Sequence, residues 1–343
     1  MTIPTTFRQL LTQCKIHGSG EAQVILSDAE LYALICLSAN DLGWHISKLG
    51  LEQLDIPDEN YYQIPSDWFS SLKISHVTPS ILLNALTHAC HLHDDYNLYI
   101  QNLCALHRRR VKFRRILATQ PLAQMEQIVP RSLLEYGACE TELLSSWMIW
   151  RKWIYDIDNR SAQETGYLFE PILASCLGGT PISARHSPVK RFDDNGNLTE
   201  RGRQVDCFVA DENIAYEFKL RVTIAASGQG RFSEELSFPD ECAKAGLTPI
   251  LLVLDPTPSA HLSELQNAFI AAGGTCYQGE AAWTYMADKA GEIMSVFLKK
   301  YIRPPLEAME LIKQMSPLDL SLRWSEDCIT IGSDNSHYEI ERL

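Results

Sequence analysis

The chain has 343 residues, with 30 Lys and Arg against 43 Asp and Glu for a net charge of −13, and 45% hydrophobic residues. That length leaves room for two domains, or for one core with large additions, in a composition ordinary for a soluble globular protein. The acidity argues against a general nucleic-acid coat, no apolar run approaches the ~20 residues of a membrane span, and the start lacks a charged-then-hydrophobic signal segment. Ten cysteines without a C-x-x-C pair read as reduced, mostly buried thiols of a cytoplasmic protein.

Residues 1–158 read as a mostly helical region. Ile25 to Leu37 and Ile81 to Leu103 have helical apolar spacing, punctuated around them by Pro65, Pro79, Pro121 and Pro130. His88, Cys90, His91 and His93 are zinc-ligand types, yet no second pair of ligands is recognisable, so a helix end with polar residues is the preferred reading. Between Arg108 and Arg115 six of eight residues are basic: Arg108, Arg109, Arg110, Lys112, Arg114 and Arg115. The run contains no acid and its cations surround more than one side of a helix, which favours a DNA-facing segment over a solvated face. His107 joins that basic face. Trp147, Trp150 and Trp153 recur at three-residue intervals and read as one buried helical stripe.

A second helix signal runs from Ser161 through Glu170 to the pair Gly178-Gly179, with Pro171 kinking it or standing near a helix start. Lys190, Arg191, Arg201 and Arg203 add positive charge on the way to the most informative feature. There, Gln204 to Val209 and Ile214 to Lys219 read as two strands joined by a turn at Asp211-Glu212-Asn213. A tight hairpin sets Asp206 opposite Glu217, within one step of register. Alternation puts Glu217 and Lys219 on one face and Tyr216 and Phe218 on the other. Two carboxylates and an amine then converge in a hydrophobic sheet, which is expensive unless a cation sits between the acids. Magnesium fits such a set, with the Phe218 carbonyl as a further ligand and Lys219 to orient or help deprotonate a water.

Beyond the hairpin, glycines 228 and 230 let backbone amides approach a phosphate, and Gln229 and Arg231 carry donors for phosphates or base edges. Arg221 and Ser227 belong to the same stretch. A helix follows to Lys244, with Glu234 and Glu235 as charges at its start. Thr248 to Leu254 is a strand covered on both faces, Leu262 to Ala271 a helix, Thr275 to Tyr277 another strand, and about Ala281 to Tyr301 one long amphipathic helix before Arg303-Pro304-Pro305. The tail from Leu320 alternates like two or three short strands that extend the sheet or cover an edge. The whole predicts an α/β mixed sheet flanked by helices over 159–303, a mostly α-helical N-terminal region over 1–158 and a β-rich extension over 304–343.

Asp206 followed by Glu217-Phe218-Lys219 resembles the signature of the PD-(D/E)xK nuclease superfamily, with Val205 in place of the proline, and the surrounding pattern resembles type II restriction endonucleases. The resemblance implies a restriction-endonuclease-like core. It also implies that Glu170, in Gly166-x-x-x-Glu170, is the first-helix glutamate completing the metal site, with Glu164 as the fallback, and that Gln229 and Arg231 lie near the scissile phosphate. The implied activity is Mg2+-dependent cleavage of double-stranded DNA at a defined sequence, with Mn2+ able to substitute, giving 5′-phosphate and 3′-hydroxyl ends. It further implies a homodimer and a cognate DNA methyltransferase that acts alongside without being a bound partner. A PD-(D/E)xK nuclease of repair or recombination would share every catalytic residue, and a catalytically dead DNA-binding protein is the third reading.

Overall fold

The structure, a computed structural model, describes residues 5–16, 23–57, 60–193, 195–220, 229–312, 320–333 and 336–343. Its N-terminal part is helical: α1 (Thr5–Lys15), α2 (Asp28–Asp41), α3 (Ser66–Ser71), α4 (Pro79–Leu92), α5 (Tyr96–Thr119) and α6 (Met125–Ile128). Ser27 opens α2 with a reciprocal capping box to Glu30, and Thr78 opens α4 by accepting from the Ile81 amide. The apolar spacing from Ile81 to Leu103 belongs to two helices rather than one. They break at residues 93–95, where the His93 imidazole accepts from the Asp95 amide at 3.1 Å.

Helix α7 (Thr141–Cys176) is 36 residues long, about 54 Å at 1.5 Å per residue, and runs unbroken through residues 158 and 159. Pro171 lies inside it, not at a helix start. Gly178 then takes φ +69, the left-handed conformation that ends a helix, as the glycine pair predicts. Of the tryptophan stripe only Trp153 is buried, while Trp147 is half-exposed beneath Arg151. Steps of three residues drift about 60° backwards around a helix each time, so 147 and 153 cannot share one face.

A mixed sheet follows, of order β1 (Thr180–Ile182), β4 (Val205–Val209), β5 (Ile214–Lys219), β6 (Thr248–Val253) and β7 (Thr275–Gln278). Strands β1, β4 and β5 are antiparallel neighbours, whereas β5, β6 and β7 run parallel. A small hairpin, β2 (Lys190–Phe192) with β3 (Leu198–Gly202), stands beside it. On one face α7 and α10 (Glu280–Lys289) cover Cys207, Tyr216, Phe218 and Leu252. On the other, α8 (Gln229–Lys244) and α9 (Ala260–Ala271) cover Ala215, Leu251 and Val253. The α/β mixed sheet flanked by helices, with a helical N-terminal region, is therefore the architecture of the chain.

The expected helix from Ala281 to Tyr301 is segmented. Gly291, at φ +63, separates α10 from α11 (Gly291–Phe297), and a π-helical turn at Leu298–Ile302 leads into α12 (Arg303–Ile312). Pro304 and Pro305 follow that π turn, inside a helical run that is continuous from Gly291 to Ile312. The core of α1, α2, α4 and α5 takes in Ile172 and Cys176 of α7 and Phe297 of α11, so helical region and sheet share elements. The tail forms its own antiparallel sheet, β8 (Ser321–Trp324), β9 (Cys328–Gly332) and β10 (His337–Glu341), rather than extending the central one. Ile329 and Ile340 pack on Trp153, and the Arg342 guanidinium donates to the Leu117 and Gln120 carbonyls at the end of α5. All ten cysteines are free thiols, and no described helix is long and apolar enough to cross a membrane.

Candidate active site

The hairpin of β4 and β5 turns through Asn213, whose φ of +54 suits a residue that tolerates the left-handed region. Its pairs are Val209↔Ile214, Phe208↔Ala215 and Cys207↔Tyr216, so the next step sets Asp206 opposite Glu217. At that step the Asp206 carboxylate takes over from the backbone, its Oδ2 accepting from the Phe218 amide at 2.9 Å. A register shift against β1, between Thr180↔Phe208 and Ile182↔Val205, interrupts the alternation along β4 beside Asp206. Such irregularities re-aim a side chain at a sheet end. On β5 the alternation holds: Tyr216 and Phe218 are buried among apolar groups while Glu217 and Lys219 are half-buried on the opposite face.

Glu170 reaches the same place from α7. Burial raises its carboxyl above the ordinary range, and repulsion from Glu217 raises it further. Asp206 is pushed well upward by burial first, then by the Glu217 and Glu170 charges, against the opposing pull of the Phe218 amide and Lys219. Two carboxyls raised in part by the charge of a third acid are chemically matched to a hard cation. Among the described residues, no three His, Cys, Asp or Glu side chains already converge on one ion-sized point. Asp206, Glu217 and Glu170 are oxygen donors of the type a hard cation takes. The positive charge now at the acids is Lys219, with Nζ 2.9 Å from Glu217 Oε1 and 3.1 Å from Glu235 Oε1. Burial alone would lower its pKa, but the two carboxylates outweigh burial and raise it, so the group is an ammonium.

Glu164 does not stand in for Glu170. It is buried and held by Arg109 and by Lys112 at 2.6 Å, both of which line a basic cleft. That cleft, of about 900 Å³ between α5 and α7, is lined by Arg109, Lys112, Arg115, Arg160, Gln23 and Tyr167 among others. Pro171, the residue after Glu170, also lines it, so the cleft and the acids flank one turn of α7. The basic run is divided by its surroundings. Arg108 is buried and donates to the Gln13 and Cys14 carbonyls, and Arg110 lies 4.7 Å over Tyr61 and 4.8 Å over Tyr62, so both are committed to packing. Arg114 and Arg115 are exposed. His107 does not join a basic face; it is buried against Phe69, with Nδ1 2.9 Å from the Tyr61 hydroxyl.

Near the sheet, Arg203 is buried against Glu241 at 3.3 Å and over Phe238, Arg191 pairs with Glu234 at 3.1 Å, and Lys190 is half-buried on β2. Arg221 and Ser227 lie outside the described residues, and of Gln229 and Arg231 only their place in the first turn of α8 is described. The zinc-type residues serve structure. His88 Nδ1 is 3.4 Å from the Leu49 carbonyl, His91 meets the Phe7 ring edge-on and Cys90 is buried.

Burial raises the Glu164 carboxyl, but hydrogen bonds from Lys112 and Arg109 outweigh it and hold the pKa below the ordinary value. A depressed carboxylate stabilises the fold above its unfolded pKa of about 4.3, and this contribution disappears as pH falls through the folded value. Glu164→Gln should therefore cost about 1–2 kcal/mol at pH 7, with the gap to the parent closing below about pH 4. Melting temperatures across pH 3–7 check this; a gap independent of pH would contradict the ion-pair account.

Residues 60–303 match the model of the ApaLI-like restriction endonucleases. The chain is also 42% identical over 324 residues to the type II restriction enzyme ApaLI of Acetobacter pasteurianus, covering 92% of this chain and 85% of that protein. No solved structure matches the chain. Both matches extend across the acids of the hairpin, Lys219 and the α7 glutamates, and the chain belongs to the ApaLI-like restriction endonuclease family.

Proposed function

We propose that the chain is a type II restriction endonuclease of the PD-(D/E)xK class, cutting double-stranded DNA at a defined sequence with magnesium as its working cation. Type II restriction enzymes generally need a divalent metal, and manganese would serve here in place of magnesium. The observation that carries the reading is the register of β4 on β5, which sets Asp206 opposite Glu217 with Lys219 on the same face. Family membership favours restriction over repair or recombination, and the complete acid and amine set weighs against a dead DNA-binding protein.

Asp206, Glu217 and Glu170 would hold the cation, with the Phe218 carbonyl as a further donor. When bound, magnesium supplies Lewis-acid polarisation of the phosphoryl oxygen and lowers the pKa of a ligated water. The chain's own groups do the rest. The Phe218 amide donates to Oδ2 of Asp206, which orients that carboxylate and leaves Oδ1 as a donor to the cation. Lys219, an ammonium, acts as donor rather than base: it orients the attacking water and offsets the charge that develops on the phosphate. Hydrolysis leaves a 5′-phosphate and a 3′-hydroxyl. One such set per chain and two strands to cut fit a homodimer, and a cognate methyltransferase would protect host DNA.

For the DNA itself, the basic cleft supplies Arg109, Lys112 and Arg115, with Arg114 exposed on the same helix. Lys190 and Arg191 would add contacts from the β2–β3 hairpin, and Arg221, Ser227, Gln229 and Arg231 from the segment that follows Lys219. Arg108, Arg110 and Arg203 would act through packing, as their donors or faces are already engaged.

The defining test is incubation of the protein with a mapped plasmid and magnesium, followed by sequencing of the ends. The expected products are defined fragments with 5′-phosphates; Asp206→Ala should bind the DNA yet cut at least about a thousand-fold more slowly. A parent that binds DNA with magnesium and never cuts would overturn the nuclease reading. Replacing Arg109, Lys112 and Arg115 together with alanine should lower the slope of log affinity against log salt by about 2–3, at about 0.9 for each phosphate contact. An unchanged slope would remove the cleft from the DNA path.

A further inference from the structure

Helix α8 carries acids with different employments. Glu234 pairs with Arg191, and Glu241 with Arg203, which ties the helix to the β2–β3 hairpin. Glu235 does neither. It is the seventh residue of α8, past the first turn, so the attraction of a helix start for negative charge does not explain it. Its spacing from Phe238 and Cys242, three and seven residues on, places it on the stripe of α8 that faces the sheet, where both of those residues are buried. A carboxylate on an apolar stripe is unfavourable unless paired. The partner is Lys219, reached from the end of the adjoining strand at 3.1 Å.

Two details point past packing. Lys219 already has Glu217 at 2.9 Å, so one carboxylate would satisfy it as an ion pair. The second oxygen of Glu235 is enclosed with no hydrogen-bond partner among the described residues, an arrangement that folded proteins keep rare. A residue selected for stability alone would be better served by an apolar side chain at this position. An ammonium has three N–H donors. With two directed at Glu217 and Glu235, the third is fixed in direction, whereas an amine on Glu217 alone could swing about its flexible stem.

We propose that Glu235 is a positioning residue for the cleavage reaction: from the sheet-facing stripe of α8 it holds the Lys219 amine beside Glu217 and leaves one N–H for the attacking water or the scissile phosphate. The inference rests on the nuclease reading of Lys219 and adds a residue to it. Rigid support comes from the buried Phe238 and the Arg203–Glu241 pair, which fix α8 within the two turns that follow Glu235.

The test compares the parent with Glu235→Gln and Glu235→Asp in plasmid cleavage, in DNA binding supported by calcium, in calcium titration by calorimetry, and in thermal melting. Glu235→Gln should lower kcat about 10- to 100-fold, the loss typical of a group that orients a working residue, with KM, DNA affinity and calcium affinity each within about two-fold of the parent. Glu235→Asp, which keeps the charge, should recover part of that loss. Cleavage by Glu235→Gln at the parental rate would overturn the assignment. So would loss of calcium affinity in step with kcat, which would make Glu235 a ligand, or a fall in melting temperature and DNA binding that accounts for the slower cutting. A parent that cuts nothing removes the nuclease reading and this role with it; a parent that cuts no faster than Glu235→Gln removes the role alone.

Discussion

Mutual repulsion among Asp206, Glu217 and Glu170 is the constraint around which the rest of the molecule is arranged. Burial and neighbouring negative charge drive the Asp206 and Glu170 carboxyls upward together, and no apolar core would assemble such a set without a return. Each acid comes from a different element: an antiparallel strand, its partner, and the long helix behind the sheet. The hairpin register sets Asp206 opposite Glu217, the irregularity of β4 against β1 lies beside Asp206, and α7 stops at Gly178, eight residues past Glu170. Cations are then the natural counterweight. In the chain itself the counterweight is Lys219, shared between Glu217 and Glu235.

Helix α7 connects that acid cluster to the rest of the protein. Its first half packs on the tail sheet through Trp153, its middle lines the basic cleft with Tyr167 and pairs Glu164 with two of the cleft's cations, and its last turns carry Glu170 and enter both cores. Charge alternates along it: the cleft is positive and the sheet end negative. An acidic protein can hold nucleic acid in this way because local fields, and not the total of −13, govern what enters a cleft. Glu164 occupies Arg109 and Lys112 within that cleft, so the free protein keeps part of its basic surface internally neutralised.

Much of this was legible in the chain because strand alternation and turn chemistry are local. Asp211-Glu212-Asn213 marks the turn, and alternation then decides which of Glu217, Phe218 and Lys219 share a face. Glu170 enters only through the family resemblance, since its closeness to Glu217 is tertiary and leaves no local pattern. Glu235 reads in the sequence as a helix-start charge because it is one of two adjacent acids after a loop; the signal that separates it is its three- and seven-residue spacing to Phe238 and Cys242. The basic run misled in part for the same reason. Sequence shows six cations but not that Arg108 turns inward to two carbonyls or that Arg110 lies over two tyrosine rings. The break at residues 93–95 and the segmentation around Gly291 interrupt apolar spacing that continues in phase, which periodicity alone does not detect.

Cleavage by this hairpin requires a divalent ion shared by acids from β4 and β5. Manganese binding followed by electron paramagnetic resonance, with DNA present, measures this without requiring turnover. The expected result is a site on each chain that disappears in Asp206→Asn and again in Glu217→Gln, while the folded state of both variants is kept. Undiminished manganese binding in either variant would contradict a shared ion at this hairpin.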